Sequence, residues 1–435
     1  MSLLEKLNIV KMYIKKAKKS RLFQNFIFRK AVSIFKLIFS SEKIDIFLVL
    51  SVLVLIISPL VVNLFSGISA GIKQKELFLS PRFEELLGRE ITETLMTDYM
   101  EQNPDLRIRL LNVPDEKNRE PDILIFDEGD FSALVAGGAL LPLEPYSESA
   151  AGMLAIPLVS FMDMLFFNIE LLRTAGFDRP PKTREEFLAC AKAASKDGVY
   201  GAAMALSPED RHSLSRDIFS WIWASGGDFW MNEDGPAINN RPVIRDIAFL
   251  GSLNSGEALA PMTFEATGSQ RLDEFARGKI AMMIASTKAI PALREKMGDG
   301  AFGITTIPGS GLAGKYSIGL SCLYAGINSN CPYPDEAWNF LEFLSEHSPL
   351  FCAELKAVPG IVSDLFSGDY IRDDPFYSKA RDIFEASHIV RGFSGMADAE
   401  KFEKAVLEEI RVFFESGRTA EQTAAAIQQR WDGEP

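Results

Sequence analysis

The 435-residue chain is poor in the residues that most often do chemistry: it has three histidines and four cysteines. His212, His347 and His388 are scattered, and Cys190, Cys322, Cys331 and Cys352 form no C-x-x-C pair. Zinc and iron–sulfur centres are therefore not expected, and no cofactor is implied. No cysteine precedes Cys190, which excludes lipid attachment through an N-terminal cysteine. Ser321-Cys322 sits in no G-x-S-x-G elbow, so a nucleophilic hydrolase site lacks its usual frame. Gly309 to Lys315 (GSGLAGK) has the first seven positions of a phosphate-binding loop. Tyr316 follows where Ser/Thr should ligate magnesium, and the next stretch is rich in strand formers rather than opening a helix. The body of the chain also lacks a basic cluster. Overall formal charge is −13, but residues 1–43 carry eleven Lys/Arg against two Glu, a balance of +9, which leaves −22 for the rest. An acidic body without clustered cations excludes nucleic acid as a partner.

What is present begins with a membrane address. Ile46 to Phe65 runs for twenty residues without a charge; as a helix this rises about 30 Å, the thickness of a bilayer core. A single transmembrane anchor over 44–67 is expected. The basic segment 1–43 stays cytoplasmic by the positive-inside rule, and everything from residue 68 lies on the extracytoplasmic side of the inner membrane. A cleaved signal peptide is the rival, with Gly67 to Ala70 as its cleavage site. The long preceding segment and the long apolar stretch favour the uncleaved anchor. Residues 22–43 mix Phe, Ile and Leu with Arg29, Lys30 and Lys36, which is compatible with an amphipathic helix on anionic lipid or with a simple topology flank.

Residues 68–435 read as alternating α and β. Glu76–Leu79 is a short apolar strand candidate, Asp122–Phe126 is a continuous apolar run that suits a buried parallel strand, and Leu106, Ile108 and Leu110 alternate with Arg107 and Arg109 as a strand does. Ser80-Pro81 opens a helix that runs to about Gln102, ahead of Pro104. Further helices are expected over Phe187–Ala194 and Pro242–Leu253, and strands over Ala281–Ala285, Phe302–Thr306 and Leu323–Ile327. With 47% apolar residues the chain can bury a sizeable core. Trp338 falls in an amphipathic helix with Ala337, Phe340, Leu341 and Leu344 and is expected in that core.

Several blocks, in order, carry a family resemblance over roughly 76–430. Residues 99–108 (YMEQNPDLRI) are followed by 121–130 (PDILIFDEGD) and 139–143 (ALLPL). Then come Phe166-Phe167-Asn168, 175–177 (AGF), Pro181-Lys182-Thr183 and Glu186. Residues 223–228 (WASGGD), 275–283 (FARGKIAMM), 337–340 (AWNF) and the closing Gly417, Glu421 and Ala424 complete the pattern. The body resembles the extracellular solute-binding proteins of family 1, the carbohydrate-type, maltose-binding-protein-like receptors of ABC importers.

The resemblance implies an α/β, two-lobe periplasmic-binding-protein fold, type II-like, with hinge strands. The first lobe would comprise about 73–160 plus 285–345, and the second about 161–284 plus 346–435. It implies a non-enzymatic receptor that holds a small polar solute between the lobes and delivers it to permease subunits in the membrane. Ligand contacts carried over by position are Asp130, Phe161, Trp223, Trp230 and Lys288. Two departures bear on the ligand. Lys288 stands where the family places a sugar-stacking aromatic, and Ser317 to Cys322 lacks the family's late tryptophan. An ammonium seeks anions or oxygen ligands rather than a sugar's apolar face, which points to an acidic sugar or a sugar phosphate. The alternative is a membrane-anchored sensor or scaffold with the same fold and little ligand affinity. The sequence leaves open whether Cys322 and Cys331 are bridged.

Overall fold

The computed structural model describes residues 74–111, 119–147, 152–210, 215–226, 235–256, 258–310, 317–359, 373–390, 396 and 398–433. Lys75–Pro435 forms a compact unit. The expected cytoplasmic segment 1–43 and anchor 44–67 lie outside the described residues. Among the described residues no helix is long and apolar enough to cross a membrane.

The chain opens with β1 (Lys75–Leu79), α1 (Arg82–Leu87), α2 (Arg89–Gln102), β2 (Leu106–Leu110), β3 (Ile123–Asp127) and α3 (Glu128–Ala136). The helix expected to run unbroken to Gln102 is divided at Gly88, whose φ of 92° no helix accommodates. The N-cap of α1 is Pro81 rather than the expected Ser80, one residue later; Ser80 Oγ still accepts from the Arg82 amide at 3.3 Å. In β2, Leu106 and Ile108 are buried while Arg107 and Arg109 are exposed.

Next comes β4 (Ile156–Asn168), thirteen residues buried at every position but Phe167. Then follow α4 (Ile169–Thr174), α5 (Arg184–Ala194), β5 (Tyr200–Ala203), a π-helical turn at Ser215–Phe219, and α6 (Ser220–Ala224). After these lie α7 (Arg241–Ser255), α8 (Gly268–Ala276), β6 (Ile280–Ser286), α9 (Ile290–Met297) and β7 (Phe302–Thr305). The remainder is β8 (Ser317–Ile327), α10 (Pro334–Glu346), α11 (Ser348–Leu355), β9 (Val358–Pro359), α12 (Pro375–Ala386), β10 (His388–Val390), α13 (Ala399–Ser416) and α14 (Ala420–Asp432). A strand, not a helix, follows the glycine-rich stretch before Ser317, as the rejection of a nucleotide loop requires.

The strands form one sheet in the order β2-β1-β3-β8-β4-β6-β5. Its two halves share the long strands. Residues 156–162 of β4 pair with β8, whereas Asp163 to Phe167 pair with β6 and Leu165 to Asn168 with β7. Side chains two apart in a strand share a face, and the sheet sorts its cores accordingly. On one face, Leu79, Ile123, Ile125, Val159, Phe161 and Leu323 pack under α2 and α10. Farther along that face, Leu165, Met282 and Ile284 join a second core with α5, α6, α7, α13 and α14. The opposite face carries a third core that continues across both halves: Phe126, Met162, Met164, Phe166, Met283, Cys322 and Tyr324, covered in part by α12. The first two cores thus part over the middle of β4 and β8, while the third holds the halves together from behind.

Trp338 is in the first core, stacked on Tyr146 with ring centroids 5.8 Å apart. Both Cys322 and Cys331 are free thiols. Cys322 belongs to the core behind the sheet and Cys331 packs against the first core, so they approach the sheet from opposite faces.

Candidate functional site: a polar cleft over the crossing strands

In open α/β sheets, small molecules bind beyond the carboxyl ends of the strands. Here β1 and β3 end at Leu79 and Asp127 from one side, and β6 ends at Ser286 from the other. Asp127 pairs with Leu323 of β8, which pairs with Val159 of β4, while Ser286 pairs with Asp163. Both sets of ends therefore converge on the segment Val159 to Asp163, a span of roughly 13 Å at 3.3 Å per residue. This is where the two cores part.

The floor of the cleft is the shared face of β4 and β8: Phe161 and Asp163 on one strand, Gly319 and Ser321 on the other. Phe161 pairs with Ser321, the single position of β8 that is not buried. Gly319 is required by close approach. A Cβ built there would lie 2.7 Å from the Trp223 ring and 3.5 Å from Asp163 Oδ2.

Arg82, just beyond β1, forms one wall. Its guanidinium reaches Asp127 Oδ2 at 3.3 Å and is also paired with Asp130. Asp127 caps α3 through bonds from the Gly129 and Asp130 amides, which fixes this carboxylate pair at the helix start. The opposite wall comes from β6 and the π-helical turn. Ser286 Oγ accepts from the Lys288 amide, and Thr287 Oγ1 accepts from the Met162 amide at 3.0 Å, tying this corner to β4. The exposed Lys288 ammonium lies 5.7 Å from the centroid of the Phe161 ring. Arg216, with its side chain 17% exposed, donates from Nε to Asp163 Oδ1 at 3.1 Å. Next to it Asp217 turns inward, accepting from the Ala205 amide and pairing with Arg271. Burial pushes both Asp163 and Asp217 above the usual carboxylate range, against the pull of their arginines. Pi-helical turns are rare and recur at functional sites; this one sends adjacent opposite charges in two directions.

Of the five residues carried over by position, Phe161 and Lys288 come together at the cleft, and Asp130 stands on the facing wall. Phe161 is only 4% exposed, so it offers little beyond an edge. Trp223 is also 4% exposed and packs with Phe219 at 5.9 Å in the second core, behind Gly319. No open ring face remains there for a ligand. Trp230 lies outside the described residues. The reading of single positions missed Arg82, Asp163 and Arg216. Asp163 had a visible signal, since it is the sole charge in the thirteen-residue run IPLVSFMDMLFFN. Arg216 had none, because its pairing spans 53 residues of sequence.

A second polar group, also unforeseen, organises the second core. Arg184 donates to Asp246 at 2.7 Å and, from Nη2, to the Trp221 carbonyl and Ser225 Oγ at 2.6 Å each. A longer bond reaches the Pro308 carbonyl. Ser225 Oγ in turn accepts from the Ser310 amide, so this cluster pins the chain leading towards β8.

Comparison with known proteins identifies relatives of the chain. The sequence pattern described as bacterial extracellular solute-binding protein matches residues 85–348. A probable ABC transporter-binding protein of Deinococcus radiodurans is 22% identical over 242 residues, 53% of this chain and 57% of its own. A binding protein of Brucella abortus (strain 2308) is 22% identical over 194 residues, 43% of this chain and 46% of its own. The chain thus spans about half the length of the curated relatives it matches. Among solved structures, the GacH receptor of Streptomyces glaucescens, studied with acarbose, superposes with a TM-score of 0.64 at 15% identity, covering 83% of this chain and 98% of its own. Maltose-bound MalE3 of T. maritima gives 0.63 at 17% identity, covering 82% and 99%. UgpB of Mycobacterium tuberculosis, bound to glycerophosphocholine, gives 0.65 at 14% identity, covering 83% and 98%. These likenesses establish the two-domain α/β periplasmic-binding-protein fold.

Proposed function

This chain belongs to the bacterial extracellular solute-binding proteins, and from that premise we propose that it is the membrane-anchored, extracytoplasmic receptor of an ABC importer. It holds a carbohydrate or related small polar solute between the two sheet halves and delivers it to permease subunits. The observation that carries this reading is the parting of the two cores over Phe161–Asp163, with polar groups converging there from both sides. Ligand sites favour such concave seams between lobes, and closure about β4 and β8 gives a two-state signal that a membrane partner can read. The Asp127–Arg82–Asp130 wall suits hydroxyl groups, since its carboxylate oxygens accept hydrogen bonds beyond those from Arg82. Phe161 lies beneath the ligand rather than beside it. The 44–67 segment replaces lipid attachment as the tether to the inner membrane.

The test is a thermal-shift screen of the full chain in detergent against neutral sugars, acidic sugars, sugar phosphates and polyols. A ligand that binds only the folded state adds about 2.7 kcal/mol of stability at a hundredfold excess over its dissociation constant. A flat response across the panel rejects the receptor reading in favour of a sensor or scaffold with the same fold. Mass spectrometry of the membrane-extracted protein tests the tether: residues before Ala70 are retained in an anchor and lost from a released protein.

A further inference from the structure

We infer that the solute is anionic, a sugar-like molecule bearing a carboxylate or phosphate group, and that Arg216 and Lys288 receive the acid from the side of the cleft formed by β6 and the π-helical turn. The inference deepens the receptor reading and rests on it. Phe161 and Asp163 are two apart in β4 and share a face, about 7 Å along the strand. Lys288 lies over the first and Arg216 binds the second, so both cations stand above the same short stretch of floor.

What each cation has left to bind decides the point. Three carboxylates surround this corner: Asp163 bonds Arg216, while Asp217 and Asp210 also act on its charge and are themselves bonded, Asp217 by Arg271 and the Ala205 amide and Asp210 by the Gly268 amide. Among the described residues Lys288 makes no ion pair, and Arg216 bonds only through Nε, leaving both Nη groups without a partner. A mostly buried guanidinium with two open donor groups is poised for the planar fork that binds carboxylate or phosphate. Its Nε is held by Asp163, which fixes the orientation of the fork. The facing wall differs. There Arg82 is consumed by two carboxylates, so that side takes hydroxyl groups rather than a second acid. One end of the ligand is thus charged and the other hydroxylated.

Titration calorimetry on the full chain tests this with matched pairs: glucuronate and glucose 6-phosphate against glucose, and glycerol 3-phosphate against glycerol. The anionic member of a pair is expected to bind at least about tenfold more tightly than its neutral partner. Raising salt from about 50 mM to about 300 mM should weaken it, because part of the attraction is screened. Which acid binds separates a carboxylate from a phosphate ligand. Lys288→Gln is expected to cost the anion tenfold or more; its side chain is exposed, so the fold survives. Arg216→Gln should cost more, and Arg216→Lys should not restore the loss, since an ammonium cannot reproduce the fork. A neutral sugar binding as tightly as its acid, with Lys288→Gln and salt both without effect, overturns the inference and leaves the receptor reading standing. No binding by any probe overturns both.

Discussion

The Arg184 cluster offers a sharp test of what holds the second lobe together. Arg184 and Asp246 are both buried, and burial pushes the guanidinium below and the carboxyl above their usual ranges; each charge is sustained by the other at 2.7 Å. Arg184→Met removes the cation but leaves Asp246, whose remaining ionic contact is Arg245 at 3.4 Å. It also removes one of the two donors to the Trp221 carbonyl, leaving the Ser225 hydroxyl at 3.2 Å, and weakens the hold on Ser225. Breaking a buried pair on one side costs about 3–5 kcal/mol, and Arg245 offsets part of this, so a loss of about 3–4 kcal/mol is expected. If the compact unit unfolds as one, at about 2.1 cal/mol/K per residue the midpoint should fall by roughly 5 °C. Urea unfolding read by tryptophan fluorescence suits the assay, since Trp221 lies in the cluster. The double variant Arg184→Met with Asp246→Leu should recover at least about half the loss, because replacing both charges with apolar groups is often neutral. A single variant losing less than about 1 kcal/mol, or a double variant as unstable as the single, would refute this account.

Three further perturbations probe other parts of the fold. Glu186, bonded by Arg179 and the Lys182 amide, is held down to about 2; a depressed carboxyl adds stability above its unfolded value of 4.5 that is lost as pH falls towards 2, so Glu186→Gln should flatten acid unfolding across that window. Gly319→Ala puts a Cβ against the Trp223 ring and should cost about 1–3 kcal/mol in urea titration; an unchanged midpoint would mean the ring is not seated there. Burial pushes the half-buried Cys331 thiol up to about 11, so iodoacetamide should label it about a hundredfold more slowly than free cysteine at pH 8, and labelling at the free-thiol rate would contradict its packing.

Local pattern carried much of the fold. Alternation in β2, the apolar run of β3 and the helix of Trp338 are properties of short windows, and each element formed where its window placed it. The length of β4 and β8 was less visible, because an all-buried strand has no alternation to read. The helix expected to run to Gln102 broke at Gly88, where backbone conformation overrode apolar spacing. The candidate site was legible only in part. Lys288 stood out as a charge where an aromatic was expected, but its partnership with Phe161 depends on β4 and β6 pairing across more than a hundred residues. Arg82 and Arg216 gain their roles solely from what the folded chain sets beside them. Trp223 shows the converse, a residue matched by position whose ring the fold encloses.

The cleft itself can be tested by filling it. Ser321 is the open position on the floor, opposite Phe161, and Ser321→Trp would occupy the space a solute needs. With the best ligand from the screen, the wild type is expected to show a saturable rise in melting temperature. The variant should keep a similar unliganded midpoint and lose that rise. An undiminished rise in Ser321→Trp would mean the solute binds elsewhere, and the cleft over the crossing strands would not be the site.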